Sequence, residues 1–189
     1  MATEEIFLKE DEIALRPVQE EDAKKFVKIL NNQAVNINLT IGKFPILLEE
    51  EKEWIEEKRE EMKENKGLSL SIILQEENEV IGECGASRLD SEKRSPLLGI
   101  FIEEEQWRNG YGEKAIALLI NHLFNRFSDA RKVSSAAIEH NKASIALQKK
   151  LGFQQIGTER KEIYYKDEYY DLIKFDMLKE EWQNQNSGS

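Results

Sequence analysis

The sequence runs to 189 residues, 40% of them hydrophobic and 34% charged, which describes one globular domain, expected over 1–182, with a disordered tail over 183–189. Lys and Arg number 27 against 37 Asp and Glu, and the formal net charge of −10 opposes nucleic-acid binding and favours a cationic partner. No window approaches the roughly 20 uninterrupted apolar residues of a bilayer span, and Glu4, Glu5, Lys9, Glu10 and Asp11 break the basic-then-apolar order of a signal peptide, so a cytoplasmic protein with no membrane partner is expected.

Ile13, Leu15 and Pro17 read as a short first strand, and Ala23, Phe26, Val27 and Leu30 follow the i, i+3, i+4, i+7 spacing of an amphipathic helix. Glu49 to Lys66 is highly charged, yet Trp54, Ile55, Lys58 and Met62 keep a narrow stripe. Glu49 with Lys52 and Glu60 with Lys63 are helical i,i+3 pairs, so a solvated helix with one buried edge is expected, with an acidic binding face as the alternative. Leu68 to Leu74 and Val80 to Leu89 are strand-like, joined by a polar turn at 75–79, and Leu97 to Ile102 completes an antiparallel meander.

Gly110 to Phe127 switches to the helical period through Tyr111, Ala115, Leu118, Leu119 and Leu123, and Lys132 to Ile138 returns to strand, giving a βαβ crossover. Asn141 to Leu151 is a short helix with a capping residue at its start and Gly152 past its end. Ile156 and Glu159 to Tyr165, a turn at 166–168, and Tyr169 to Met177 form a final hairpin. The expected fold class is α+β, a mixed and mostly antiparallel sheet of about seven strands with about four helices and one crossover. Cys84 alone cannot form an internal disulfide, and His122 and His140 lack companion thiols, so no metal site is expected.

The most informative stretch is Trp107-Arg108-Asn109-Gly110-Tyr111-Gly112-Glu113-Lys114-Ala115, between an apolar strand and a long helix. Without Cβ atoms, Gly110 and Gly112 let consecutive N–H groups approach an anion at the positive end of the helix dipole, with Arg108 adding a full charge. That is a phosphate cradle. Residues 110–115 also fit a G-x-G-x-x-G/A dinucleotide fingerprint, with Glu139 as a ribose acceptor, but only a short helix and a hairpin follow where a second βαβ half is needed.

With this loop, Leu15-Arg16-Pro17, Glu21-Asp22-Ala23, Asn141-Lys142-Ala143-Ser144, Gly152-Phe153, Asp171 and Glu181-Trp182 in order, the chain resembles the GCN5-related N-acetyltransferase (GNAT) superfamily from about Ile13 to Trp182. Within it, the signs resemble the branch of ribosomal-protein N-terminal acetyltransferases and spermidine acetyltransferases. The family pattern Q/R-x-x-G-x-G/A begins here with Trp107. The resemblance implies acetyl-CoA as cosubstrate. Its pantetheine arm would pair with Ile100, Phe101 and Ile102, and its pyrophosphate would lie on Trp107, Arg108, Asn109, Gly110, Tyr111 and Gly112. Asn141 would bond the pantetheine and Ser144 would face the thioester, while an N-cap and first-turn reading explains the same two residues locally. Lys142 would meet the 3′-phosphate, unless it is a surface lysine. A homodimer is compatible with the resemblance.

Amine acetylation needs a neutral nitrogen, a stabilised oxyanion and a proton for the leaving thiolate. A carboxylate near the splayed centre of the sheet suits the first need, and Glu83 is the candidate base, though it also reads as an ordinary strand residue. A backbone N–H near Phe101 would meet the oxyanion. Many superfamily members carry a tyrosine acid seven residues after the asparagine, whereas this chain has Gln148, so Ser144 or water would serve. Tyr164, Tyr165 and Tyr170 read as packing residues or as lining of the acceptor pocket. The expected acceptor is a peptide or protein N-terminal α-amine. A diamine or polyamine acceptor, and a non-catalytic CoA-binding module, are the alternatives.

Overall fold

The computed structural model describes residues 8–40, 44–90 and 95–186. Among the described residues eight strands form one sheet in the order β1-β2-β3-β4-β5-β6-β8-β7. They are β1 (Leu8–Glu10), β2 (Ile13–Pro17), β3 (Leu68–Leu74), β4 (Glu79–Ser87), β5 (Leu97–Ile102), β6 (Lys132–Ile138), β7 (Gln154–Tyr165) and β8 (Glu168–Leu178). Every neighbouring pair is antiparallel except β5 with β6, the expected crossover. Six α-helices accompany them among the described residues: α1 (Ala23–Leu30), α2 (Gln33–Asn36), α3 (Leu48–Lys63), α4 (Tyr111–Arg126), α5 (Lys142–Lys150) and α6 (Lys179–Asn186).

The extra elements over the expected seven strands and four helices are short or held by distant contacts. β1 has only three residues and exists by pairing with β2 across a turn at Asp11 (φ 47°), too brief to leave a period in the sequence. The four residues of α2 start at Asn32, whose side chain accepts from Ala34 N at 2.8 Å. At the C-terminus, Gln183 and its successors to Asn186 continue α6 where a frayed end was expected, while 187–189 lie outside the described residues. Glu181 reaches back to Leu178 N at 2.9 Å, and the buried Trp182 donates to Asn121 Oδ1 at 2.7 Å, tying α6 to α4.

Strand alternation divides the core into two layers. On one side Leu15, Leu70, Ile72, Ile100 and Ile102 pack against α4, with Leu147 of α5 and Trp182 of α6 in the same cluster. On the other side Phe26 of α1 and Ile55 of α3 cluster with Trp54, Val80 and Phe101. Phe101 meets Phe26 edge-on at 5.3 Å between centroids. The second layer also carries a polar row, because register places Arg16 opposite Ser71, Ser71 opposite Glu83, and Glu83 opposite Phe101. Asp22 knits this row to the start of α1 by accepting from Arg16 at 2.7 and 2.8 Å and from Ser71 Oγ at 2.6 Å.

The charged helix α3 forms its ion pairs Glu49–Lys52 (3.3 Å) and Glu60–Lys63 (2.7 Å) on the solvent side. Its inward stripe begins one turn earlier than Trp54 and Ile55, at Glu51, which is only 5% exposed.

Candidate active site

β5 and β6 are in register only at Leu97 and Ser134, where Ser134 N donates to Pro96 O at 2.8 Å and the hydroxyls of Ser95 and Ser134 lie 2.9 Å apart. Beyond that junction β5 is paired with β4 alone among the described residues. The two strands therefore share one end and part along Gly99 to Ile102, leaving β5 an unshared backbone edge that a ligand with amide groups could join.

The parted edge leads into the glycine loop. Gly110 is the N-cap of α4 and adopts φ +83°, a left-handed conformation that suits glycine. The first bonds of the helix run from Glu113 N and Lys114 N to Gly110 O at 3.1 and 3.2 Å, so the amides of Tyr111 and Gly112 precede the intrahelical ladder. Gly112 lies against β5 and α5: a Cβ there would stand 3.4 Å from Ile102 Cδ1, 3.7 Å from Ile100 Cδ1 and 3.7 Å from Leu147 Cδ2. Trp107 donates its indole N–H to Ile102 O at 2.9 Å, which ties the loop to the strand and occupies the Ile102 carbonyl. Asn109 Nδ2 donates to Gln106 O at 3.3 Å, and Arg108, held at φ 67°, is exposed. Loop, strand and helix start thus present amides and one guanidinium at the open end of the seam, a geometry suited to a phosphate group.

Glu83 lies one strand inward from that seam and is 7% exposed. Burial raises its pKa to about 8, the Ser69 hydroxyl beside it favours the charged form, nearby Glu51 pushes it further up, and Lys58 opposes that push. Burial alone lifts Glu51 to about 7. A carboxylate whose pKa lies near neutrality can both accept and release a proton there. Its neighbour Cys84 is a buried free thiol, driven well up by burial, and points into the opposite layer.

α5 supplies the other side. Asn141 Oδ1 accepts from Ser144 N at 3.0 Å, which is the N-cap bond, and Asn141 Nδ2 faces Asn38 O at 3.4 Å. Ser144 is half-buried and its hydroxyl makes no hydrogen bond among the described residues. Gln148, 7% exposed, buries its Oε1 without a partner among the described residues, and Lys142 Nζ donates to Glu139 O at 2.7 Å. Ile100, Ile102, Gly112 and α5 share one layer, whereas Glu83 and Phe101 face the other. Ser144 and Glu83 make no hydrogen bond with each other among the described residues.

Sequence reading missed Glu51, although positions 51, 55, 58 and 62 continue one helical stripe. The tyrosines of the hairpin lie outside the core. Tyr164 and Tyr169 are exposed and tilt together at 4.9 Å, Tyr165 OH donates to Asn36 Oδ1 at 3.2 Å, and Tyr170 meets the His140 ring edge-on at 4.7 Å. His140 Nε2 in turn lies 2.9 Å from Ile37 O, and burial lowers the pKa of His122 on α4.

Glu139 is not placed as a ribose acceptor: its Oε1 accepts from Asp171 N at 2.9 Å, latching β6 to β8. Only α5, the hairpin of β7 with β8, and α6 follow β6, so the second half of a dinucleotide fold does not exist among the described residues.

The model of the acetyltransferase (GNAT) domain matches residues 12–154, and the chain belongs to this family. It is an acyltransferase of the N-acetyltransferase type, which sets aside the dinucleotide and non-catalytic readings. Among curated proteins it is similar to the SPbeta prophage-derived uncharacterized N-acetyltransferase YokL of Bacillus subtilis, 27% identical over 92% of this chain and 93% of the relative. Similar solved structures include the ribosomal L7/L12 alpha-N-protein acetyltransferase RimL in complex with coenzyme A (TM-score 0.83, 17% identity, 93% of this chain and 99% of that one). The spermidine N-acetyltransferase from Vibrio cholerae in complex with CoA and spermine is comparably close in fold (TM-score 0.79, 17% identity, 93% and 100%).

Proposed function

We propose that this chain transfers the acetyl group of acetyl-CoA to a primary amine, and that the acceptor is the α-amine of a peptide or protein N-terminus. The observation that carries this reading is a buried carboxylate with a pKa of about 8, Glu83, one strand from a seam whose outer edge leads to an amide-lined loop. Bound acetyl-CoA supplies an activated thioester. The amides at Gly110 to Gly112 and the Arg108 charge hold its pyrophosphate, together with Trp107 and Asn109 in the same loop. The backbone of Ile100, which faces the unshared edge of β5, pairs with its amide groups, Phe101 and Ile102 flank them, and Asn141 adds its Nδ2 in place of its bond to Asn38 O.

Glu83 accepts the proton that the amine releases as its nitrogen bonds the acyl carbon, directly or through one water. A backbone N–H near Phe101 stabilises the carbonyl oxygen as it takes up negative charge. As the carbon–sulfur bond breaks, the Ser144 hydroxyl or a water supplies the thiolate with its proton.

Thermal unfolding with acetyl-CoA, desulfo-CoA and NAD in parallel tests the cofactor, since a ligand at 100 times its Kd adds about 2.7 kcal/mol. Stabilisation by both CoA compounds and not by NAD is expected. Thiol release with free and N-formylated copies of one short peptide then tests the acceptor, and equal rates with both overturn it. The acidic outer face of α3 and the net charge of −10 favour a polyamine as the second reading. Faster turnover of spermidine than of any peptide would establish that reading instead.

A further inference from the structure

Two glycines face each other beside Glu83. Gly85 on β4 is in register with Gly99 on β5, and both lie on the face that carries Glu83 and Phe101. A Cβ on Gly85 would stand 2.8 Å from Glu83 Oε1, so the carboxylate leans over Gly85 rather than outward from its own position. A Cβ on Gly99 would meet no heavy atom within 4 Å among the described residues, and Gly99 is exposed although it sits inside a strand. Gly99 is also two residues past Leu97, the junction at which β5 and β6 part. On β5 the gap is bounded by the side chains of Leu97 and Phe101, and across the sheet the row ends at Ser69. Glu51 and Lys58 face the carboxylate from α3.

We propose that Gly99 and Gly85 floor an acceptor track from the β5–β6 seam to the Glu83 carboxylate, and that Gly99 admits amines carried on a substituted carbon. A peptide α-amine is attached to a carbon that bears both a side chain and a carbonyl, so it needs lateral room. A polyamine end is a CH2–NH2 group and does not. The missing side chain at Gly99 supplies that room within reach of the base, and strand pairing fixes the distance. This inference rests on Glu83 as the base and refines which amine reaches it.

The test uses the full chain with Gly99→Ala and Gly99→Val, which fill space that no neighbour occupies and keep strand propensity. With a short free-amine peptide as probe, Gly99→Val should lower kcat/KM by about tenfold or more, and Gly99→Ala by less, as expected for three added carbons against one in a fitted pocket. With spermidine as probe the same variants should change kcat/KM by less than about threefold. Stabilisation by desulfo-CoA should be unchanged. Equal losses with both amines, or no loss with the peptide, overturn the proposal. Glu83→Gln separates the underlying reading, because it should slow both amines alike.

A measurement that needs no acceptor accompanies it. The thiol introduced by Gly99→Cys should react readily with iodoacetamide, since the native Cys84 is buried. Adding Glu83→Gln should lower the pH at which that thiol ionises, because a neighbouring carboxylate disfavours thiolate. A thiol protected from the reagent, or one indifferent to Glu83, means that no track joins the two residues.

Discussion

Glu83 and Gly85 occupy the same face of β4, and the Glu83 Oε1 lies 2.8 Å from where a Gly85 Cβ would stand. The glycine therefore makes the space in which the carboxylate rests. Its hypothetical Cβ would also lie 2.5 Å from Leu68 O, a backbone atom that cannot swing away. Gly85→Ala should destabilise the protein by about 1–3 kcal/mol through overpacking. It should also lower turnover by displacing Glu83. Denaturant melts and thiol-release rates on the same preparation check both effects.

The rate should depend on pH through two groups. Glu83, with a pKa of about 8, must be ionised, and a peptide α-amine, ordinarily near 7.7–8.0, must be neutral. Below about pH 7 the plot of log kcat/KM against pH should approach a slope of 2. Glu83→Gln should reduce that slope to 1 and kcat by about 10²–10⁴-fold. Removing the like charge with Glu51→Gln should move the Glu83 limb to lower pH, and removing Lys58 should move it to higher pH.

The same group links pH to stability. Burial raises the carboxyl from an ordinary 4.5 to about 8, so between these values the folded state holds a proton that the unfolded chain has released. Folding stability from this group is therefore lost as pH rises from about 4.5 to about 8, and is level beyond. Glu83→Gln removes the dependence. The variant should match the wild type near pH 4.5 and exceed it at pH 8 by on the order of 2–4 kcal/mol, read from denaturant midpoints.

Asp22 is a structural anchor beside the candidate site. Its side chain is 3% exposed and joins Arg16 to Ser71. Asp22→Ala leaves the partly buried guanidinium and a hydroxyl without their acceptor, and should cost about 3–5 kcal/mol. Arg16→Met with Asp22→Leu should recover much of that loss, measured by chemical denaturation.

Gly110 holds its amide loop open at φ +83°. A β-branched residue is strained there by about 1–3 kcal/mol, so Gly110→Val should redirect the Tyr111 and Gly112 amides. The expected readout is loss of most of the thermal stabilisation given by desulfo-CoA, with a smaller change in the unliganded melting temperature.

Periodicity located the elements whose signal is local. Leu68–Leu74, Leu97–Ile102 and Lys132–Ile138 have the bounds expected from their apolar runs, and Gly110, Asn141 and Gly152 stand where a left-handed turn, an N-cap and a C-terminal stop are needed. Such features depend on the conformational preferences of single residues, which the sequence states directly. β1, α2 and the end of α6 left no period because pairing with β2, a four-residue cap and the Trp182–Asn121 bond hold them.

Tertiary structure alone decided the chemistry around Glu83. The sequence offered the carboxylate as one polar residue in a strand, but its pKa near 8 comes from burial beneath the layer of α1 and α3, which removes water and brings Glu51 and Lys58 alongside. The opposition of Gly85 and Gly99 is likewise a matter of register between two strands, and the parting of β5 from β6 depends on where one parallel pair stops. Composition, caps and glycine positions are properties of residues and their near neighbours. Desolvation, register and separation are properties of what lies across the sheet, and they arise only when the chain has folded.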